Sequence, residues 1–139
     1  MDAYGHMNVR FYFQLWERGA QAFMAHLGLD ITKAMDQGLG NWVLKQVVEY
    51  LAEVRDGQSV AIYGRLLGHS PKRLHNKYWM VNEDQGVIAA TSEVLVTCAD
   101  LTQRRTAPYP DHVAQVIAQR FTECRSLDWE AASCGIIQA

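Results

Sequence analysis

The chain has 139 residues, 49% hydrophobic and 20% charged, with a formal net charge of -2 and a pI near 6.2. That length suits one domain with its own core. The charge balance excludes a nucleic-acid binder driven by a global basic field, and no apolar run reaches the ~18 residues of a membrane span.

The opening stretch, Asp2-Ala3-Tyr4-Gly5-His6-Met7-Asn8, sets an acid, a glycine, a histidine and an asparagine directly before a helical run. From Asn8 to Leu27, Tyr12, Trp16, Phe23 and Leu27 recur on one stripe, which predicts a long amphipathic helix. Asn8 is its N-cap and Gly28 its stop. Gly19 lies mid-helix, where it costs about 1 kcal/mol against Ala and leaves room for another backbone.

After Gly40 the period changes to two. Asn41–Val54 reads as a long strand ending before an Asp56-Gly57 turn. Ser59–His69 is a second strand, with Val60, Ile62 and Leu66 on one face. Arg73–Glu83 is a third, and Val87–Asp100 a fourth in which Val94, Val96 and Cys98 alternate. Pro110–Phe121 is a closing helix with Val113, Val116, Ile117 and Phe121 on its apolar face. The elements predict an α+β fold, one long helix against four antiparallel strands in meander-like succession. Residues 1–125 form the domain, and residues 126–139 a C-terminal tail expected to fray.

The three cysteines, Cys98, Cys124 and Cys134, show no CxxC spacing. They predict neither a disulfide framework nor a thiolate metal site, and a reducing cytoplasm is the simplest compartment. No basic segment followed by an apolar core opens the chain, so no signal peptide is expected. The five histidines lack HExxH or other metal spacing.

On residues alone, the opening stretch reads as a loop ending in a helix cap. It also sets Asp2 beside a helix N-terminus, whose free amides stabilise developing negative charge. The spacing D-x-x-G-H-x-N-x-x-x-Y, carried by Asp2, Gly5, His6, Asn8 and Tyr12, resembles the opening motif of hotdog-fold acyl-CoA thioesterases. Within them it is most similar to the 4-hydroxybenzoyl-CoA thioesterase group. Val47–Leu66 and Gly86–Pro110 resemble later strands of the same family, so the likeness spans roughly residues 2–120.

The resemblance implies a long central helix wrapped by an antiparallel sheet. It implies hydrolysis of a thioester to a carboxylic acid and free coenzyme A. Asp2 would act as general base or nucleophile, and amides about Asn8 and Val9 as the oxyanion hole. Gly5 and Tyr12 fall to the substrate side. For His6 three roles stay open: direct chemistry, orientation of Asp2, or a structural hydrogen bond. The family places a strand before this motif, so the first strand is expected to lie upstream of Met1.

The strand period puts Arg73, His75 and Lys77 on one face, either solvated or a landing site for coenzyme A phosphates. Arg104 and Arg105 are a second such candidate. Glu49 and Gln46, on the first strand after the helix, are candidates to face a partner subunit. No metal or redox cofactor is expected, since coenzyme A belongs to the substrate. The expected assembly is a homodimer or homotetramer, with no nucleic acid and no membrane as partner. Two alternatives remain, an acyl-carrier-protein thioesterase and a non-catalytic hotdog acyl-CoA-binding protein.

Overall fold

Asn8 begins the helical part of the chain in a computed structural model that describes residues 1–139. Its side-chain oxygen accepts from the Arg10 amide at 3.2 Å, and helix α1 runs Val9–His26. Tyr12, Trp16 and Leu27 are buried on the predicted stripe, with Phe23 packed against them. Gly28 then turns the chain at φ +81, a conformation that a Cβ would penalise. A short helix α2, Ile31–Asp36, follows; it was not expected. The Asp30 side chain caps it by accepting from the Lys33 amide at 3.1 Å.

Five strands follow, β1 Leu39–Tyr50, β2 Val60–His69, β3 Arg73–Asn82, β4 Val87–Asp100 and β5 Arg105–Thr106, before helix α3, Asp111–Arg125. All pairings are antiparallel, in the order β1-β4-β3-β2, with β5 adding to the end of β4. The meander expectation therefore holds for β2, β3 and β4 only. Strand β1 crosses to the far flank of β4, and the Asp56-Gly57 turn joins two strands that never pair. β1 also stops at Tyr50 and does not continue to Val54. The Leu51 and Ala52 amides both turn onto the Ala89 carbonyl, at 2.8 and 3.0 Å, and the Val54 carbonyl accepts from the Met7 amide at 2.8 Å. That last bond ties the opening loop to the end of β1.

One face of the sheet packs on α1. Phe23 meets Tyr78 edge-on at 5.5 Å, and Tyr12 meets Tyr50 edge-on at 5.0 Å. Gly19 makes room for a side chain here, not for a backbone. A Cβ on it would stand 2.7 Å from Ile62, and one on Gly64 would stand 2.7 Å from Phe23.

The other face is covered by residues 126–139, which pack down and do not fray. Trp129 stacks edge-on against Trp79 at 5.4 Å, and Arg65 lies over the Trp129 ring and donates to its carbonyl at 2.7 Å. Lys77 donates to the Ala132 carbonyl, and Lys45 to the Ile136 carbonyl at 3.3 Å. Glu93 accepts from the Ser133 hydroxyl at 2.9 Å and from the Cys134 amide at 2.7 Å. Four strands thus each grip the tail with one charged side chain. With both faces covered, β4 is buried from Ala89 to Ala99.

Candidate active site

The tie between Met7 and Val54 folds the opening loop over the N-terminus of α1. Within it the Asp2 amide donates to the His6 carbonyl at 3.0 Å, and the Gly5 amide donates to the Asp2 carbonyl at 3.1 Å. Gly5 sits at φ +80, so the loop needs a residue without a Cβ there. The Asp2 carboxylate is held at both oxygens. Oδ1 accepts from the Tyr4 amide at 2.9 Å, and Oδ2 stands 3.1 Å from His6 Nδ1. Its side chain is 18% exposed.

Asp2, His6, Asn8, Val9 and Tyr12 line one cavity of about 460 Å³. The amides of Arg10 and Phe11 are taken by the Asn8 side chain and carbonyl. Those of Asn8 and Val9 donate to no protein group, which leaves two free donors at the positive end of the helix dipole. A carboxylate and two residues with free amides lining one cavity are the parts that acyl transfer to water requires.

The far wall is formed by Tyr50, Leu51, Ala52 and Glu53. Sequence reasoning missed Tyr50 and Glu53 here, because nothing local marks them. They reach the site only through the Val54 tie and the stop of β1. Burial above all, then the neighbouring Tyr50, pushes the Tyr12 phenol above its ordinary value; Glu53 adds to this and a backbone bond at Val54 opposes it. Burial raises Tyr50 as well. Both rings are therefore neutral at physiological pH. Glu53 is engaged by Arg55, whose Nε donates at 2.8 Å, but no lysine or arginine lines the cavity.

The other candidates lie elsewhere. Glu49 points to the tail-covered face, where it accepts from Thr91 Oγ1 at 3.3 Å. Gln46 points the other way, donating to Ser92 Oγ at 2.9 Å, into a second, largely apolar cavity of about 580 Å³ between α1 and β1. Arg73 is exposed at the start of β3. His75 and Lys77 are neither solvated nor open to a ligand: they are 7% and 5% exposed beneath the tail. His75 Nε2 bonds Glu93 at 2.6 Å. Arg104 lies near the Leu39 end of β1, far from Asp2, with its guanidinium 5.6 Å from the Trp42 ring centroid. No helix is long and apolar enough to cross a membrane.

The model of the thioesterase-like superfamily matches residues 1–117. The chain belongs to this superfamily. The thioesterase is 32% identical over 113 residues to a betainyl-CoA thioesterase of Pseudomonas aeruginosa, a match that covers 81% of this chain and 71% of that protein. It is also 32% identical over 110 residues to an L-carnitine dehydrogenase/betainyl-CoA thioesterase of Agrobacterium fabrum. There the match covers 79% of this chain and only 22% of that longer protein. A hypothetical protein of Staphylococcus aureus solved in complex with CoA superposes with a TM-score of 0.83 at 23% identity, covering 94% of this chain and 82% of that one. The fold is the α+β hotdog, and the thioesterase is an acyl-CoA thioester hydrolase.

Proposed function

We propose that the enzyme hydrolyses betainyl-CoA, or a thioester with an equally short quaternary-ammonium acyl group, to the free acid and coenzyme A. The composition of the Asp2 cavity carries this reading. Two neutral tyrosine rings meet at 84° with centroids 5.0 Å apart, the carboxylates of Asp2 and Glu53 line the same space, and no lysine or arginine does. Aromatic faces attract quaternary ammonium groups through the ring quadrupole, and nearby carboxylates reinforce that attraction. In betaine the charged nitrogen is one carbon from the carbonyl, so it stays within reach of Tyr12 and Tyr50 while the thioester lies at Asp2. The two relatives named for betainyl-CoA support the same substrate class.

In the proposed chemistry, a water beside Asp2 gives its proton to the carboxylate as its oxygen adds to the thioester carbon. The carbonyl oxygen gains the electron pair and turns to the Asn8 and Val9 amides. When the carbonyl re-forms, the C–S bond breaks and the leaving thiolate takes up the proton as the thiol. The His6 ring, with Nδ1 3.1 Å from Asp2 Oδ2, holds the carboxylate in its orientation. The scheme needs no metal or redox cofactor.

We further propose a homodimer in which β1 pairs antiparallel with the β1 of a second copy. Its 12 residues are bonded on one flank only, and Val43 and Leu44, near its midpoint, are 60% and 47% exposed. An open edge of that length needs a partner. Light scattering at micromolar concentration should give twice the 15.7 kDa of one chain; a monomer mass would overturn the assembly. A coenzyme A thioester substrate and three free thiols fit the reducing cytoplasm.

Release of free coenzyme A, followed with a thiol reagent, tests the substrate. Betainyl-CoA should exceed its neutral isostere 3,3-dimethylbutyryl-CoA in kcat/KM by about tenfold, the upper part of what a cation–π contact supplies. Succinyl-CoA, which brings a negative charge to the carboxylates, should be the poorest. Equal rates on the cationic and neutral substrates would overturn the reading.

A further inference from the structure

The peptide between Val54 and Arg55 is held on both sides. Its carbonyl accepts from the Met7 amide at 2.8 Å, and its N–H donates to Gln58 Oε1 at 2.8 Å. A trans peptide is planar, and its N–H and C=O point in opposite directions. Whatever aligns the Arg55 N–H therefore aims the Val54 carbonyl.

The peptide between His6 and Met7 is held in the same manner. Its N–H donates to Val54, and its carbonyl accepts from the Asp2 amide at 3.0 Å. Three hydrogen bonds thus run in series and in one sense, from Asp2 through these two peptides to the Gln58 side chain. Bonds in such a chain polarise one another, so the last acceptor strengthens those before it.

That last acceptor is itself fixed by a side chain. Gln58 Oε1 also accepts from Asn82 Nδ2 at 3.0 Å. Asn82 is fully buried, and its Oδ1 accepts from the Gln85 amide at 3.2 Å in the turn between β3 and β4. A carboxamide in such a place destabilises the fold unless it is bonded, and both of its ends are. The Gln58 amide donates to the Arg55 carbonyl at 3.2 Å, which closes the turn around Asp56 and Gly57. Strands β1 and β2 do not pair, so no ladder across this loop holds it in place. Side chains do so instead, and neither Gln58 nor Asn82 lines the Asp2 cavity.

We propose that Gln58, fixed by Asn82, is a positioning residue for the thioester hydrolysis. It aims the Val54 carbonyl at Met7 and so sets where the opening loop holds Asp2. The assignment rests on the reading of Asp2 as the general base.

Two substitutions and one double variant test it. Gln58→Met keeps the length of the side chain and removes the acceptor. On the preferred thioester it should lower kcat about tenfold and leave KM within about twofold, since a misplacement of about 1 Å can cost up to 10²-fold. Gln58→Glu should restore kcat, because a carboxylate accepts from both donors. Unchanged kcat in Gln58→Met, or an equal loss in both variants, would overturn the proposal. If Gln58→Met does not fold, Gln58→Asn, one methylene shorter, takes its place. The double variant adds Gln58→Met to Asp2→Asn. A residue that acts through Asp2 adds little once Asp2 is gone, so the two losses should not multiply. A full further loss in the double variant would show that Gln58 acts elsewhere, and would sink the proposal. If Asp2→Asn alone keeps full turnover, the general-base reading fails, and hydrogen exchange at the Met7 amide still judges Gln58. Protection there should fall in Gln58→Met and return in Gln58→Glu; unchanged protection would overturn the role in placing the loop.

Discussion

His6 Nδ1 stands 3.1 Å from Asp2 Oδ2 while the Tyr4 amide occupies Oδ1 at 2.9 Å. The carboxylate therefore enters the cavity in one orientation, with the Tyr4 amide donating to one oxygen and the His6 ring set beside the other. Asp2→Asn keeps an acceptor for Tyr4 but removes the base. Turnover on the preferred thioester should fall at least ~10²-fold, the lower range for loss of a general base, with little change in melting temperature. Near-full turnover in this variant would return the opening stretch to a loop that merely leads into a cap.

Tyr50 can be altered with less risk to folding than Tyr12, because Tyr50 is 47% exposed and Tyr12 only 5%. Tyr50→Leu keeps an apolar side chain and removes the ring. It should lower kcat/KM for betainyl-CoA by about three- to tenfold, as a cation–π contact predicts, and leave 3,3-dimethylbutyryl-CoA nearly unaffected. A parallel fall on both substrates would mean that the ring only shapes the cavity.

Asn8 caps α1 through one bond to the Arg10 amide. Asn8→Ala should cost about 1 kcal/mol of stability, read from urea unfolding at constant slope. Its kcat should fall far less than that of Asp2→Asn, because the side chain faces its own helix and the backbone amide remains. A rate loss equal to that of Asp2→Asn would place the Asn8 side chain in the chemistry.

Glu93 makes the tail sensitive to acid. Burial works against its charge, but bonds from the Cys134 backbone, His75 and Ser133 outweigh that and hold its pKa below the ordinary 4.5. A carboxylate depressed in the folded state stabilises it above the unfolded value, and that contribution is lost as pH falls through the folded value. Hydrogen exchange across residues 126–139 should therefore be flat from neutral pH down to about 5 and should lose protection below 4.5. Glu93→Gln should expose the tail at neutral pH and flatten this acid dependence; Ser133→Ala is the milder variant if the first does not fold. Protection that does not change across the carboxylate range would refute the role of Glu93.

The parts of the fold readable from sequence are those whose signals are local. Tyr12, Trp16 and Leu27 keep one helical stripe, and Asn8 and Gly28 mark its ends; Val94, Val96 and Cys98 keep the period of a strand. The acid, histidine and cap of the site sit within seven residues, so their meeting was legible as well. Tyr50 and Glu53 were not, because they join the site through a backbone bond between Met7 and Val54. Nor was the partner of β1, since a strand's pattern reveals its faces and not its neighbour. The tail escaped notice for another reason. Arg65, Lys77 and Lys45 grip its carbonyls, and carbonyls carry no sequence. Helix α2 could have been found, for Asp30 precedes it as a cap and Gly38 follows it.

The sheet order has a consequence for biosynthesis. β1 bonds only to β4, whose final residue is Asp100. A ribosome adding 5–20 residues per second needs roughly 3 to 10 s to travel from Tyr50 to Asp100. During that interval β1 has neither edge satisfied, and Val43 and Leu44 lie bare on the nascent chain. This segment is the one most exposed to a chaperone or to another unfinished copy. A slow codon run just beyond Tyr50 would therefore lower soluble yield, and the same run placed after Asp100 would not.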